Sequence, residues 1–267
     1  MSWLTHFGLR ERPFSKAIAD ADLWLTAPKQ AAVDDIAEAI DERQTGALLV
    51  GDAGLGKSCV LRALRHQCAS RPVRLTYCHN ATLGRRDFYR HICRALGLNP
   101  KATAAGVFNA LGDYVTELSS ERIHPVFIID EAHLLHQDVL DHLHILANHE
   151  WDASPLLTLV LAGLPDLWDR LLLRRNRSLW SRIHTRLRLP EPQPADTAAY
   201  VAHRLQRAGG QASAFDSDAL AMLHEATAGG LRDVDRLATA SLKAAARAGL
   251  QRVDRALLLN VVNAHKR

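Results

Sequence analysis

The segment with the most distinctive chemistry reads GDAGLGKS at 51–58, which has the spacing G-x-x-x-x-G-K-[ST]. Its glycines let a backbone turn pass close to phosphate oxygens, while amides of the turn and of the following helix point at the anion. Lys57 is expected to reach the β- and γ-phosphates, and the hydroxyl of Ser58 to bind Mg²⁺. An ordinary glycine-rich turn requires neither Lys nor Ser at its end. The predicted nucleotide-binding residues are Gly51, Asp52, Ala53, Gly54, Leu55, Gly56, Lys57, Ser58 and Cys59.

A second candidate site follows the apolar run at 126–129, where Asp130 and Glu131 stand side by side. Adjacent carboxylates at the end of a buried strand are unfavourable unless a metal ion or a proton transfer uses them. Asp130 is predicted to hold the Mg²⁺ shell, typically through water, and Glu131 to orient and deprotonate an attacking water. An Asp-Glu pair alone is weak support for this chemistry, but the phosphate loop upstream makes the combination strong.

These residues need a sheet to position them, and short apolar runs do alternate with longer amphipathic segments in the chain. The runs lie at 46–51, 73–78, 125–130 and 156–163. This alternation predicts an α/β fold with a parallel sheet. Three prolines at 189–195 mark a linker, and apolar residues recur at helical spacing beyond it. We therefore predict an N-terminal segment that packs on the nucleotide site (1–44), an α/β domain (45–190) and a helical lid domain (191–267).

Length and composition exclude several classes of protein. The 267 residues are 48% hydrophobic and 23% charged, an ordinary globular composition that excludes an intrinsically disordered chain. No apolar stretch approaches the roughly 20 residues that a membrane-spanning helix needs. Arg10, Glu11 and Arg12 lie where a secretory signal would carry apolar residues. We therefore expect a cytoplasmic protein with no membrane partner.

The formal net charge is only +4, but the charges are unevenly distributed. Residues 130–152 contain six carboxylates and no Lys or Arg, whereas residues 169–188 contain seven arginines and one carboxylate. The basic segment could attract nucleic acid by neutralising phosphates, although a solvated charged surface explains it equally well. Five of the 14 histidines lie at 133–149, but the absence of an H-E-x-x-H pair disfavours a metal site there.

The phosphate loop, the run Asp130-Glu-Ala-His133 and the helical C-terminal region together resemble an AAA+ ATPase. Softer patterns resemble the ExeA-like branch, which is similar to the TniB, TnsC and IstB regulators of DNA transposition. These patterns are HFGLRERPF at 6–14, LTAP at 25–28, NATL at 80–83 and LHILAN at 143–148. The resemblance covers nearly the whole chain. It implies a P-loop domain with a five-stranded parallel sheet, a small all-helical lid, and hydrolysis of ATP with Mg²⁺.

The resemblance also implies roles for polar residues outside the phosphate loop. Asn80, at the end of the second strand, matches the residue that restrains the catalytic glutamate. Arg232 matches the sensor-2 arginine that reaches the γ-phosphate. Arg182, just before the last strand, matches the arginine finger that enters a neighbouring subunit's site, with Arg177 and Arg186 as rivals. In other systems such an arginine increases the rate of hydrolysis by about 10³–10⁵.

One position departs from the family pattern. Leu164 stands where a polar sensor-1 residue, commonly glutamine, is often found. A leucine side chain cannot form a hydrogen bond with the γ-phosphate or with the attacking water. We therefore expect slow hydrolysis, stimulated by oligomerisation or by a partner, with the nucleotide acting as a timer for assembly.

The function implied by the resemblance is that of an ATP-dependent factor that forms a ring or helical homo-oligomer on double-stranded DNA and recruits or activates a transposase. Arg85, Arg86 and Lys101 are the candidate contacts to DNA phosphates, which position a protein without reading sequence. Two alternatives stay open. An ExeA-type ATPase would assist the assembly of a secretion machine, although such proteins generally carry a membrane segment and a cell-wall-binding domain after the ATPase. A non-hydrolysing switch would use bound ATP only to select a conformation.

Overall fold

The computed structural model describes residues 2–78, 81–99, 104–146, 155 and 157–265. Contacts between residues divide the chain into two compact units. The sheet unit consists of Ala27–Asp52 and Lys57–Leu189, and the helical unit consists of Met1–Thr26, Ala53–Gly56 and Pro190–Arg267.

The sheet unit is built on five parallel strands in the order β2-β3-β4-β1-β5. The strands are β1 (Gly46–Val50), β2 (Val73–Cys78), β3 (His124–Ile129), β4 (Thr158–Gly163) and β5 (Ile183–Arg188). The three inner strands are buried along their whole length, as is typical of parallel strands covered on both faces. In the edge strand β5, exposed residues alternate with less exposed ones. The expected α/β fold with a five-stranded parallel sheet is confirmed.

The sheet unit also contains one helix before its first strand and further helices between its strands. They are α2 (Ala27–Asp41), α3 (Lys57–Gln67), α4 (Arg85–Ala95), α5 (Ala104–Ser120), α6 (Gln137–Leu146), α7 (Asp166–Leu172) and α8 (Arg177–Arg182). In α4 the spacing of Phe88 and Ile92 places both side chains on one helix face, and both are buried in the core of this unit with Phe127 of β3. Burial of each such side chain stabilises the fold by about 1.5–3 kcal/mol.

The helical unit contains the C-terminal helices and a short helix near the N-terminus. They are α1 (Trp3–His6), α9 (Pro194–Arg207), α10 (Ser217–Thr227), α11 (Leu231–Arg247) and α12 (Arg255–His265). Helix α9 begins at Pro194, where the missing amide of proline removes no helical hydrogen bond, and Asp196 accepts a hydrogen bond from the amide of Gln193 at 2.8 Å. The expected helical C-terminal region is confirmed. Within the described ranges, no helix is long and apolar enough to cross a membrane.

The first residues of the chain belong to the helical unit, whereas α2 belongs to the sheet unit. The buried side chain of Arg204 in α9 donates from Nε to the carbonyl of Pro13 at 2.7 Å and from Nη2 to the carbonyl of Ser15 at 2.6 Å. These bonds hold the N-terminal stretch of chain on the helices. The predicted N-terminal segment 1–44 is thus divided at Thr26. The packing of that segment on the nucleotide site stays a prediction.

Candidate nucleotide site

The phosphate loop lies between β1 and α3. Gly54 and Gly56 have φ angles of +84° and +97°, left-handed backbone conformations that favour glycine. The amide of Gly51 donates a hydrogen bond to the carbonyl of Gly163 at the end of β4, at 3.2 Å. Helix α3 begins at Lys57, so the amides of its first turn, which lack acceptors within the helix, follow directly after the loop. The local backbone therefore has the form expected of an anion site.

The ammonium group of Lys57 is directed at this loop. Its Nζ donates to the carbonyl oxygens of Gly51 at 2.7 Å and Asp52 at 3.1 Å, and the residue is only 7% exposed. A buried cation is unfavourable without polar or anionic partners, and phosphate oxygens supply strong charge-assisted hydrogen bonds. Ser58 is exposed in the first turn of α3. These residues fit a nucleoside triphosphate, and Ser58 and Asp130 are the residues that would hold Mg²⁺.

Asp130 is 5% exposed, and both of its carboxylate oxygens accept hydrogen bonds. The amide of Glu131 donates to Oδ1 at 2.9 Å, and the hydroxyl of Tyr77 donates to Oδ2 at 2.8 Å. Burial and the hydrogen bond to this carboxylate raise the pKa of Tyr77, so that its hydroxyl stays protonated as a donor. The orientation of the predicted metal ligand is therefore fixed from two sides.

Glu131 has φ 54° and ψ 34°, a left-handed conformation that is uncommon for a residue other than glycine and that often marks functional sites. Its side chain is 52% exposed, and Oε2 lies 3.5 Å from Nδ1 of His133. The same Nδ1 lies 3.4 Å from the amide nitrogen of Leu164. Glu131 is therefore accessible to a water molecule on one side and contacts a histidine on the other.

Sheet order explains why these loops meet. Strand β4 lies between β1 and β3, and the carboxyl ends of parallel strands share one edge of the sheet. Gly163, the last residue of β4, accepts the hydrogen bond from Gly51, and a Cβ atom on it would lie 3.1 Å from the amide nitrogen of His133. Glycine at this position lets the loop after β3 approach. The structure thus places Lys57, Asp130 and Glu131 at the same edge of the sheet.

Within the helical unit, Gly54 contacts the start of α11. The amide of Leu231 donates to the carbonyl of Gly54 at 3.0 Å, and a Cβ atom on Gly54 would lie 3.4 Å from Cα of Gly230. Arg232 is the next residue of α11 and is exposed. Its contact with the γ-phosphate stays a prediction.

The three candidate arginine fingers lie on α8 and β5. Arg182 ends α8, and its Nη1 donates to the carbonyl of Ser178 at 3.0 Å. Arg177 is exposed at the start of the same helix. The guanidinium of Arg186 lies 3.8 Å from the ring centre of Trp180. The action of one of these arginines in a neighbouring subunit stays a prediction.

The candidate DNA contacts are only partly described. Nη1 of Arg85 lies 2.6 Å from Nε2 of His142, so this guanidinium is already in contact with a neighbouring helix. Arg86 is exposed on α4. Lys101, and Asn80 at the predicted glutamate-restraining position, lie outside the described residues.

Two residues of the site were not identified from the sequence. Tyr77 lies inside an apolar run, and nothing in that run indicates that its hydroxyl reaches Asp130. His133 is visible as the last residue of the DEAH run, but the sequence pattern led us to consider it only as a metal ligand. Its position shortly after Glu131 in the motif is the signal that could have identified it.

A five-stranded parallel sheet in this order, with a phosphate loop after β1 and an Asp-Glu pair after β3, defines the P-loop fold of the AAA+ ATPases. Residues 40–171 match the family model described as an AAA domain. That range contains the phosphate loop, Asp130 and Glu131. The protein therefore contains an AAA domain at residues 40–171.

General secretion pathway protein A from Aeromonas hydrophila is 31% identical to this chain over 250 residues. The alignment covers 92% of this chain and 45% of that protein, so the chain spans less than half of its relative's length. This similarity supports the resemblance to the ExeA-like branch. It gives no specific support to the TniB, TnsC and IstB branch.

Several solved structures share the fold at low sequence identity. Cdc6p from Pyrobaculum aerophilum has a TM-score of 0.72 at 17% identity, with 90% of this chain and 67% of that chain covered. The ORC1 protein of Aeropyrum pernix, solved in complex with DNA, has a TM-score of 0.72 at 19% identity, with coverages of 96% and 70%. The RuvB Holliday junction branch migration motor of Thermotoga maritima has a TM-score of 0.60 at 17% identity, with coverages of 88% and 68%. These similarities concern the fold.

Proposed function

We propose that the protein binds ATP with Mg²⁺ and hydrolyses it to ADP and phosphate. The proposal rests on the meeting of three groups at one edge of the sheet: the buried ammonium of Lys57, the fixed carboxylate of Asp130 and the exposed carboxylate of Glu131. An ordinary turn between a strand and a helix needs none of these groups. The match to an AAA domain supports the same activity.

Each residue has a distinct part in the proposed reaction. Lys57 exchanges its bonds to loop carbonyls for phosphate oxygens. Ser58 and Asp130 would hold Mg²⁺, which would neutralise phosphate charge. Glu131 orients a water molecule and accepts its proton while the water oxygen bonds to the γ-phosphorus. The bond from that phosphorus to the bridging oxygen breaks, and ADP leaves with its electron pair.

We propose that hydrolysis by a single chain is slow. Leu164 at the end of β4 has no polar group in its side chain, and Arg182 is proposed to act in the site of a neighbouring subunit. A homo-oligomer would supply this arginine charge, which in other systems increases the rate of hydrolysis by about 10³–10⁵. Specific activity should therefore rise with protein concentration and fall in Arg182→Ala. Activity that is independent of concentration and unchanged in this variant contradicts the proposal.

Release of phosphate from ATP by the purified protein tests the central activity. Lys57→Ala should weaken ATP binding by at least about tenfold, whereas Glu131→Gln should retain binding and lose hydrolysis. Lys243→Ala and Glu121→Gln are matched controls, because both residues lie outside the site on α11 and after α5. Equal phosphate release by wild type and both site variants would show that the activity belongs to another protein in the preparation.

We propose that this ATPase assists the assembly of a secretion machine. The support is its similarity to General secretion pathway protein A over 92% of this chain. Because ATP is the ligand, the site is proposed to act in the cytoplasm. Control of a transposase has no support from these relatives and is not proposed. A strain whose gene carries Lys57→Ala should release less secreted protein into the medium than one carrying Lys243→Ala, and equal release contradicts this role.

Duplex DNA is a second proposed ligand. Arg186 and Arg188 are exposed on the edge strand β5, where their guanidinium groups lie 3.8 Å and 5.5 Å from the ring centres of Trp180 and Trp168. The structure of ORC1 in complex with DNA shares this fold. Fluorescence anisotropy with a labelled duplex should show binding that weakens steeply between about 50 and 200 mM salt and that weakens in Arg186→Ala/Arg188→Ala and in Arg86→Ala. Equal binding by all variants contradicts these contacts.

A further inference from the structure

His133 occupies the space between the proposed general base and the end of β4. Its Nδ1 lies 3.5 Å from Oε2 of Glu131 and 3.4 Å from the amide nitrogen of Leu164. Its side chain is 13% exposed, whereas that of Glu131 is 52% exposed. The carboxylate of Glu131 therefore lies close to Nδ1 of His133, and the imidazole ring is largely enclosed by the protein.

We propose that His133 is a positioning residue for Glu131, which orients the carboxylate toward the attacking water; this inference rests on the ATPase activity proposed above. With a hydrogen on Nδ1, the ring donates to Oε2 and restricts rotation of the Glu131 side chain. Without that hydrogen, Nδ1 accepts from the amide of Leu164 and leaves the carboxylate unrestrained. One nitrogen cannot do both, so the two neutral tautomers correspond to two arrangements of the site.

The backbone of His133 is held by a partly buried polar network. Nη1 of Arg170 donates to the carbonyl of His133 at 3.0 Å. Asn176 is 2% exposed, and its Nδ2 donates to the carbonyl of Arg170 at 2.8 Å. Oδ1 of Asn176 accepts a hydrogen bond from Nε2 of Gln137 at 2.6 Å. Gly163 completes the enclosure, because a Cβ atom there would lie 3.3 Å from Nδ1 of His133. The ring position is therefore determined by groups on α7, β4 and α6.

This arrangement compensates for Leu164. The side chain at that position cannot form a hydrogen bond, whereas the tautomer of His133 with a hydrogen on Nδ1 donates to Glu131 in this proposal. The polar function missing from the end of β4 is thus supplied by the loop after β3. His136 provides a matched comparison, because it lies in the same loop and its Nε2 lies 2.9 Å from the carbonyl oxygen of Thr82.

Steady-state ATP hydrolysis by four variants tests the proposal. His133→Leu removes the proposed hydrogen bond to Glu131 and keeps a similar bulk. His133→Asn places an amide nitrogen near the position of Nδ1, whereas His133→Gln places it near Nε2. His136→Leu is the control. We expect kcat of His133→Leu to fall about 10- to 100-fold with KM for ATP within about twofold, because misplacement of a catalytic group by about 1 Å can reduce a rate by this factor.

The ranking of kcat among the variants tests the inference. His133→Asn should recover most of the wild-type kcat, His133→Gln should recover little, and His136→Leu should match wild type. Wild-type kcat in His133→Leu overturns the inference, and so does a larger recovery by Gln than by Asn. If His133→Leu does not fold, as judged by its thermal melt, the Asn and Gln variants still decide. If wild type releases no more phosphate than Lys57→Ala, the proposed ATPase activity fails, and the inference about His133 fails with it.

Discussion

The hydroxyl of Tyr77 donates a hydrogen bond to Oδ2 of Asp130 across two neighbouring strands, at a distance of 2.8 Å. Tyr77 lies on the edge strand β2 and is 48% exposed, whereas Asp130 is almost completely buried. The bond therefore links the proposed metal ligand to a residue that solvent and partners can reach. Because the other carboxylate oxygen accepts from the backbone, Tyr77 is the side chain that controls the orientation of Asp130.

Tyr77→Phe should weaken the response to Mg²⁺ without removing the active site. Loss of the phenol leaves Asp130 with one hydrogen bond, and outer groups that orient metal ligands typically contribute about 10- to 100-fold to metal affinity. We expect the Mg²⁺ concentration for half-maximal ATP hydrolysis to rise about tenfold. Tyr114→Phe on α5 is the control. An unchanged Mg²⁺ titration in Tyr77→Phe contradicts this role.

Gly54→Ala should reduce both stability and ATP affinity. Its φ of +84° is strained for any residue with a Cβ atom. This strain destabilises the folded state by roughly 1–3 kcal/mol. Gly97 is a matched control, because it has φ +76° and a Cβ atom there would face open space. Gly97→Ala should lower the free energy of unfolding by a similar amount and leave ATP affinity unchanged. Urea unfolding and calorimetric titration with ATP measure the two effects, and equal ATP affinities in both variants contradict the assignment.

His124 should make the fold sensitive to acid. Its Nε2 lies 2.9 Å from Oγ1 of Thr158, whose own hydrogen goes to the carbonyl of Gln44 at 2.6 Å, so the histidine is the donor. Burial, and secondarily the charge of Arg43, lower the pKa of His124 from 6.5 to about 4. Because the folded pKa is depressed, the stabilising contribution of the neutral ring is complete above pH 6.5. It is lost as the pH falls through about 4.

Urea unfolding between about pH 7 and pH 4 tests this prediction. His124→Gln keeps a donor near the position of Nε2 and does not titrate. Wild type should lose on the order of 3 kcal/mol more than the variant over this range, since each pKa unit corresponds to about 1.4 kcal/mol. Parallel stability curves for the two proteins contradict the prediction.

Asn176→Ala should destabilise the sheet unit. The side chain is 2% exposed and bonds the carbonyl of Arg170 and the side-chain amide of Gln137, which lose a partner when Asn176 is removed. Leaving buried polar groups unpaired reduces stability by about 1–3 kcal/mol. Asn260→Ala on the exposed face of α12 is the control. Equal free energies of unfolding for the two variants contradict this account of the network.

The inner strands could be predicted from the sequence because both of their faces are buried, which gives continuous apolar runs at 46–51, 125–130 and 156–163. Strand β5 could not be found in this way. It lies at the sheet edge and exposes Arg186 and Arg188, so only the family resemblance implied it. An edge strand carries the apolar signal of one face at most.

In the candidate nucleotide site, too, some residues could be predicted from the sequence and others could not. The phosphate loop and the pair Asp130 and Glu131 are contiguous in sequence, so their spacing alone predicts them. Tyr77 reaches Asp130 because β2 pairs with β3 in a register that places it beside Ile128. Register between strands is a tertiary property that the alternation of apolar residues does not specify. For the same reason, the contact of His133 with Leu164 appears only once β4 is placed beside β3.

Calorimetric titration of the wild-type protein and Lys57→Ala with ATP and Mg²⁺ tests the central claim most directly. Loss of a charge-assisted hydrogen bond to phosphate corresponds to about 1.5–3 kcal/mol, or roughly 10- to 150-fold in affinity. We expect wild type to bind one ATP per chain and Lys57→Ala to bind at least about tenfold more weakly. Absence of binding to wild type, or equal affinity in the two proteins, contradicts the account of this site.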